Sequence, residues 1–507
     1  MSAGRSLLFL AAAGSIASFA PRALASNGLE SPDAGVRQLG RGGAWVATAD
    51  DPLAAYMNPA GMSFQATGIH LGTQLMIQQG CFSRKGPGNT PVSPGPAILP
   101  QDVPPDPVCT TSVFPNPQLA GVFRINDRLA VGLAVLGPHA AGTASWPEEI
   151  DYTTQTGLAR TMPAPNRYML TDQSAVLVYP TLSVSYAVLP ELSLGVGFVW
   201  GFASADFTTF TESISDPVEN FNNDVKAKLS ATDLFVPGFV VGMNWGMSKY
   251  FDMGAWYRWS DAIRARTQLE LTSSYWLQGG TRNESPCPES DNRCNITNDE
   301  DAGELVFPIP MEAKLGVRFH YPRSENTVQP DWVKREGYVR DPMTQDLFDI
   351  EVNLTWANNS AVDKIGLQFD PGIAVKLTPG FVPENGDIPH NWRDVLGVRL
   401  GSDINILPNL FSLRFGGFFE SKGVRDEMLT LDFHQGFKGG ASLGATFRVW
   451  WIDISAAYQH VFYGTLDNGG DGELRALSGE APTYRSEQFI NGGSFEQSLD
   501  EVGLGAT

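Results

Sequence analysis

Residues 40–62 read GRGGAWVATADDPLAAYMNPAGM, and how that stretch is held decides the fold. Arg41 stands between Gly40 and the pair Gly42 and Gly43, which places a charge on backbone free to turn tightly and able to meet a carboxylate. Asp50 and Asp51 follow, and then Asn58, Pro59 and Ala60. Pro59 fixes its φ and lacks an N–H, while Asn58 can bond to neighbouring backbone, so the tripeptide is a stiff corner. Two readings stand at this point: an ordinary loop before a strand, or a segment held inside something larger.

Upstream, residues 1–25 have the pattern of a secretory signal: Arg5, an apolar core from Leu7 to Ala20, and Ala23-Leu24-Ala25 as a cleavage site. Downstream, the chain alternates. Leu192, Leu194, Val196, Phe198, Trp200 and Phe202 share one face of a strand, with Ser193, Gly195, Gly197 and Gly201 on the other. In Met311 to Tyr321 the apolar set opposes Glu312, Lys314, Gly316, Arg318 and His320. Similar strands at 350–356, 396–400, 411–415, 442–449 and 452–459 set apolar residues against Glu351, Arg399, Arg414, Arg448 and Asp453. A soluble sandwich alternates too, but its wet face is usually rich in Lys. Here that face carries Gly, Ser, and Arg with Glu or Asp, which suits a polar interior and a lipid-facing exterior.

Connection lengths agree. Tight turns at 126–128, 189–191, 248–250 and 407–409 fall on one end, and long loops on the other. The connection from about 322 to 345 is an exception, long where a short turn belongs. Strands are expected at about 67–79, 115–125, 129–138, from 173, from 192, 230–246, from 251, about 311–321, about 350–356, from 396, from 411, 438–449, 451–463 and 501–507. Residues 364–378 also look strand-like and are assigned to the loop between the ninth and tenth strands. The interrupted apolar run at 175–203 is not a spanning helix, and a membrane chain without helices must close its sheet. The fold class expected is all-β: a 14-stranded antiparallel transmembrane barrel.

Composition fits. Glycine numbers 53, aromatics are 11% and charged residues only 18% of 507 residues, with no low-complexity run dividing the chain. A formal charge of -20 argues against nucleic acid as a partner, whose phosphates would be repelled. The four cysteines fall as two local pairs, Cys81 with Cys109 and Cys287 with Cys294, without zinc spacing or CxxC. In an exported chain they are expected as two disulfides, each closing one loop, with free thiols or metal ligands as the alternative.

The 40–62 stretch resembles, nearly residue for residue, the N-terminal hatch of the FadL-type outer-membrane transporters (the OmpP1/FadL/TodX family). Residues 117–138, 307–319 and 391–421 are similar to strands 2 and 3, strand 8, and strands 10 and 11 of that family. The resemblance implies a signal peptide at 1–25, a hatch with short helices at 26–63, and a barrel over 64–507. It implies passive uptake of hydrophobic molecules, long-chain fatty acids or hydrocarbons, across the outer membrane of a Gram-negative cell, with the N-terminus periplasmic. Partners would be the ligand and the surrounding lipid and lipopolysaccharide, and the protein a monomer without cofactor or metal. Gly40, Arg41, Gly42, Gly43, Asp50, Asp51, Asn58, Pro59 and Ala60 would form the gating hatch. Family chains finish on an aromatic residue, whereas this one stops at Thr507 after about seven strand-like residues, so a clipped end is expected.

Two readings compete for the inward cations Arg258, Lys314, Arg318, Arg399, Arg414 and Arg448. Arg suits bidentate carboxylate binding, so one or two could dock a fatty-acid headgroup. Cross-strand pairing with Glu312, Glu351, Asp403 and Asp453 would instead fill the lumen. The run 467–473, DNGGDGE, lacks calcium-loop spacing and reads as a solvated acidic turn, as does Asp299-Glu300-Asp301. There is no GxSxG elbow and no HExxH, and His320 has no evident serine partner, so no enzyme is expected. The rival functions are a general porin and a structural or adhesive barrel.

Overall fold

The computed structural model describes residues 34–90, 92, 107–137, 142–153, 156–212, 224–273, 276–277, 281–282, 295–323, 337, 339–375, 380–474 and 489–507. The signal at 1–25 and the pair Cys287 and Cys294 lie outside them. The wall strands, in chain order, are β1 (Gly68–Arg84), β2 (Val108–Arg124), β3 (Leu129–Leu136), β4 (Asp172–Leu189), β5 (Leu192–Glu212), β6 (Asp224–Gly246) and β7 (Phe251–Ser260). They continue as β8 (Glu312–Pro322), β9 (Asp346–Ala357), β10 (Val395–Leu407), β11 (Phe411–Glu420), β12 (Lys438–Val449), β13 (Ile452–Tyr463) and β14 (Gly493–Ala506). Each pairs antiparallel with its neighbours in this order, and β14 returns to β1 from Ala506 opposite Leu71 to Gly493 opposite Arg84. The barrel therefore has 14 strands and no open edge.

Alternation runs inside out relative to a soluble protein. On β5, Leu194, Val196, Phe198 and Trp200 are 47%, 54%, 49% and 53% exposed, whereas Arg258, Arg318 and Arg414 are 0%, 2% and 1% exposed in the interior. Burial of apolar area is what normally drives a soluble fold, so an outward apolar band with arginines inside needs lipid around it. Among the described residues no helix is long and apolar enough to cross a membrane.

The strands outrun their expected bounds at the long-loop end. β2 begins at Val108 rather than 115, β6 at Asp224 rather than 230, and β14 spans 14 residues from Gly493, not seven. The physical reason lies in β14: beyond the lipid band its polarity inverts, with Phe495 and Leu499 buried and Glu496 exposed, so the outward-apolar pattern stops before the strand does. Phe495 joins an apolar core at that end with Phe82, Trp146, Leu170, Trp392 and Phe433. Beside β6 the strand Ile263–Ser273 pairs with Asn295–Phe307, which pairs with Lys364–Phe369, and that with Ile388–Pro389. This accessory sheet, not the wall, takes up residues 364–369. Cys81 and Cys109 face each other across β1 and β2 and form a disulfide.

Candidate functional site: the plugged lumen

Residues 34–64 lie inside the barrel. A turn of helix, Val36–Leu39, is followed by Gly42 and Gly43 at φ 59° and 74°, where a Cβ would be strained. Those two residues turn the chain so that Arg41, fully buried, points at the wall. Asp50 pairs with Arg37 at 3.0 Å, and Asp51 accepts from Gln38 Nε2 at 3.1 Å and from the Leu53 N–H at 3.0 Å, which ties the first helix to the second, Ala54–Met57. Asn58 then caps the short helix Pro59–Phe64: its Oδ1 accepts from the Ala60 N–H at 3.3 Å, and its Nδ2 donates to the carbonyls of Val46 at 2.7 Å and Met243 at 3.1 Å. The corner thus binds the hatch to itself and to β6 with one side chain.

The wall receives this segment on glycine. Gly195 of β5 has its reason here: a Cβ on it would meet the backbone of Pro59 and Ala60, and one on Gly242 of β6 would meet Asn58. Gly254, Gly401 and Gly416 likewise face the backbone of 41–47. Backbone against backbone leaves room for direct hydrogen bonds. Ser185 donates to the Ala60 carbonyl at 3.1 Å, Ser63 shares a hydrogen bond with Ser193, Asn244 donates to the Ala47 carbonyl at 2.9 Å, and Trp256 Nε1 to that of Tyr56 at 2.8 Å. Glu351 accepts from the N–H groups of Ala47 at 2.8 Å and Thr48 at 3.0 Å and from the Thr48 hydroxyl.

Each of the six inward cations meets a protein carboxylate. Arg258 lies 3.5 Å from Glu312 and donates to the Tyr56 hydroxyl at 2.9 Å; Lys314 lies 3.7 Å from Glu312. Arg318 reaches Asp252, Asp346 and Asp349 at 3.3, 2.9 and 2.7 Å. Arg399 pairs with Glu420 at 2.6 Å and donates to the Gly42 carbonyl, and Arg414 lies 3.4 Å from Asp403. Arg448 binds Asp453 and Asp341. From the hatch, Arg41 joins this network through Asp349 at 2.7 Å and Asp403 at 2.9 Å. Charges withdrawn from water are stable only when paired this fully, so hatch and wall share one set of ion pairs. Among the described residues no His, Cys, Asp and Glu group has metal-holding geometry.

Sequence reasoning missed Asp349, Asn244 and Arg340. Asp349 and Asn244 sit on inward positions of alternating strands, a signal present in the pattern. Arg340 lies in the connection of 322–345, whose pattern predicted nothing; its guanidinium donates to the carbonyls of Ala47 at 2.9 Å and Thr48 at 3.2 Å. At the long-loop end, outside the wall, buried His390 binds Asp432 at 3.0 Å. Burial opposes its charge, but Asp432 outweighs burial and raises the His390 pKa, while Asp432 is held below the usual range. Nearby His434 is pushed down to about 3 by burial and by Lys438.

The model of a family described as "Outer membrane protein transport protein (OMPP1/FadL/TodX)" matches residues 16–481. Among solved structures, a Pseudomonas aeruginosa FadL homologue is similar with TM-score 0.63 at 16% identity, over 94% of this chain and 98% of that one. The Pseudomonas putida toluene transporter TodX is similar with TM-score 0.56 at 12% identity, over 95% and 98%. The Ralstonia pickettii toluene transporter TbuX is similar with TM-score 0.54 at 12% identity, over 94% and 98%. No curated protein sequence matches the chain.

Proposed function

We propose, for a chain that belongs to the OMPP1/FadL/TodX family of outer-membrane transport proteins, that it admits long-chain fatty acids or hydrocarbons by passive diffusion through a hatch-gated barrel. In this reading residues 1–25 are a signal peptide, 26–63 the hatch and 64–507 the barrel, a monomer in lipid and lipopolysaccharide. The short-turn end and the N-terminus face the periplasm. The observation that carries it is the occluded lumen: residues 34–64 fill the barrel on hydrogen bonds and ion pairs rather than on covalent or continuous-sheet links.

A water-filled porin leaves such a lumen open. Here a shift of the hatch is what makes a path, either onward or sideways into the bilayer. Trp146, Trp392 and Phe433, buried in the apolar core at the long-loop end, would receive a greasy solute as that core opens. Transfer worth roughly 0.8 kcal/mol per buried methylene drives capture without an energy source. The six inward cations are proposed to hold hatch and wall, since each already has a carboxylate partner. Toluene is carried by the two transporters named above, which supports a hydrocarbon among the substrates. The test is to extract detergent-solubilised protein and identify the co-purified ligand by mass spectrometry, beside planar-bilayer recordings. A bound fatty acid or hydrocarbon with low ion conductance is expected; free passage of sugars and ions with no hydrophobic ligand would overturn the reading.

A further inference from the structure

The connection between β8 and β9 is long where its neighbours are two to four residues, and its longest described run, 339–345, crosses the mouth of the barrel at the short-turn end. We infer that this segment is a strap that retains the hatch, with Arg340 as the positioning residue that sets how readily the hatch leaves. The inference rests on the hatch being the gate.

Arg340 is 9% exposed and touches the plugging segment 34–64 three ways. Its guanidinium donates to the Ala47 and Thr48 carbonyls, its backbone N–H donates to the Phe64 carbonyl at 2.8 Å, and its charge lies over the Phe64 ring at 5.4 Å. The same guanidinium donates to Asn244 Oδ1 at 3.0 Å and pairs with Asp252 at 3.2 Å, both on the wall. Ala47 and Thr48 are therefore gripped from two sides: Glu351 takes their N–H groups and Arg340 their carbonyls.

The strap is itself tethered across the mouth. Asp341 takes two hydrogen bonds from Arg448 Nη1, at 3.1 and 2.9 Å, beside the β12–β13 turn. Asn405 Nδ2 donates to the Pro342 carbonyl at 2.7 Å, and the Asn409 N–H to that of Met343 at 3.1 Å, beside the β10–β11 turn. A hatch moving toward this mouth has to break the Arg340 bonds or carry the strap with it. Hydrogen bonds to a charged group are stronger than neutral ones, and leaving their partners buried and unmet costs more still.

The experiment compares the full chain with Arg340→Ala, Asp341→Asn and Glu351→Ala in planar bilayers, counting ion-conducting openings, with retention of the folded band on unheated electrophoresis as the fold check. Arg340→Ala is expected to raise opening frequency roughly tenfold or more, and Asp341→Asn, which loosens the tether without touching the hatch, to raise it less. Glu351→Ala removes the opposite grip and reports on the gate by itself. Openings raised by Glu351→Ala but by neither strap variant would overturn the strap and leave the gate standing. No change in any folded variant would overturn the gate reading and the strap with it. If Arg340→Ala does not fold, Asp341→Asn decides: no increase overturns the strap.

Discussion

A single methyl group at Gly195 is expected to unseat the hatch while leaving the wall intact. In Gly195→Ala the new Cβ would lie 2.5 Å from Ala60 N and 2.8 Å from Pro59 Cβ, as well as against the Pro59 carbonyl carbon. Those atoms belong to a corner stiffened by a proline, so it must retreat as a unit. Retreat breaks the Ser185 bond to the Ala60 carbonyl, the Asn58 bond to Met243 and the Ser63–Ser193 bond. Overpacking costs about 1–3 kcal/mol and each of the three lost hydrogen bonds about 1 kcal/mol, so docking weakens by roughly 4–6 kcal/mol. At about 1.4 kcal/mol per tenfold, the undocked population rises roughly several-hundred-fold or more.

The wall gains from the same change, because alanine is better than glycine in a strand. The assay is frequency of ion-conducting openings in planar bilayers, with the temperature at which the folded band is lost measured alongside. Gly121→Ala is the control, since the nearest atom to its Cβ would be 3.9 Å away. Openings equal to those of the unaltered protein in a folded Gly195→Ala barrel would refute the claim that this close approach holds the plug.

Other outcomes test the outer surface and the long loops. Val317→Arg on the outward face of β8, where Val317 is 42% exposed, is expected to cost about 2–4 kcal/mol in folding into bilayers if it lies near the midplane and less toward either edge, measured by denaturant titration of lipid-refolded protein. The His390–Asp432 pair makes loop stability pH-dependent on both sides. His390, raised by Asp432 against burial, loses its contribution as pH climbs through its elevated pKa; Asp432, depressed, loses its own as pH falls through its lowered one. Proteolytic nicking of the long loops should therefore be slowest between those limits, and His390→Gln should flatten the alkaline rise; an unchanged alkaline limb would refute the assignment.

Much of the barrel could be read from the chain because lipid imposes one strict rule, apolar outward, on every residue it touches. That rule reveals β5, β8 and β12 from their alternation alone. It ends where lipid ends, which is why the long-loop ends of β2, β6 and β14 escaped notice; on β14, Phe495 and Leu499 turn inward there and the pattern reverses. The glycine face of β5 was visible as a face, but the purpose of Gly195 on it depends on Pro59, more than 130 positions away, and no local pattern carries that. Of the acids expected to fill the lumen, Glu312, Asp403 and Asp453 do pair with inward cations, while Glu351 serves the hatch backbone. Which acid meets which base follows from register, and register is a property of the closed sheet. Arg340 was hidden for a different reason: its segment has neither alternation nor helical period, so only its partners reveal what it does.

The seam where β1 meets β14 also touches the plug: a Cβ on Gly503 would lie 3.3 Å from Val36, and His70 hydrogen-bonds Thr507. Two regions more than 400 positions apart in the sequence thus share one small neighbourhood. Loop-closure entropy makes so distant a meeting late. Stopper and seam therefore stand on common ground: a cylinder with β1 and β14 unpaired would lack part of the floor on which Val36 rests.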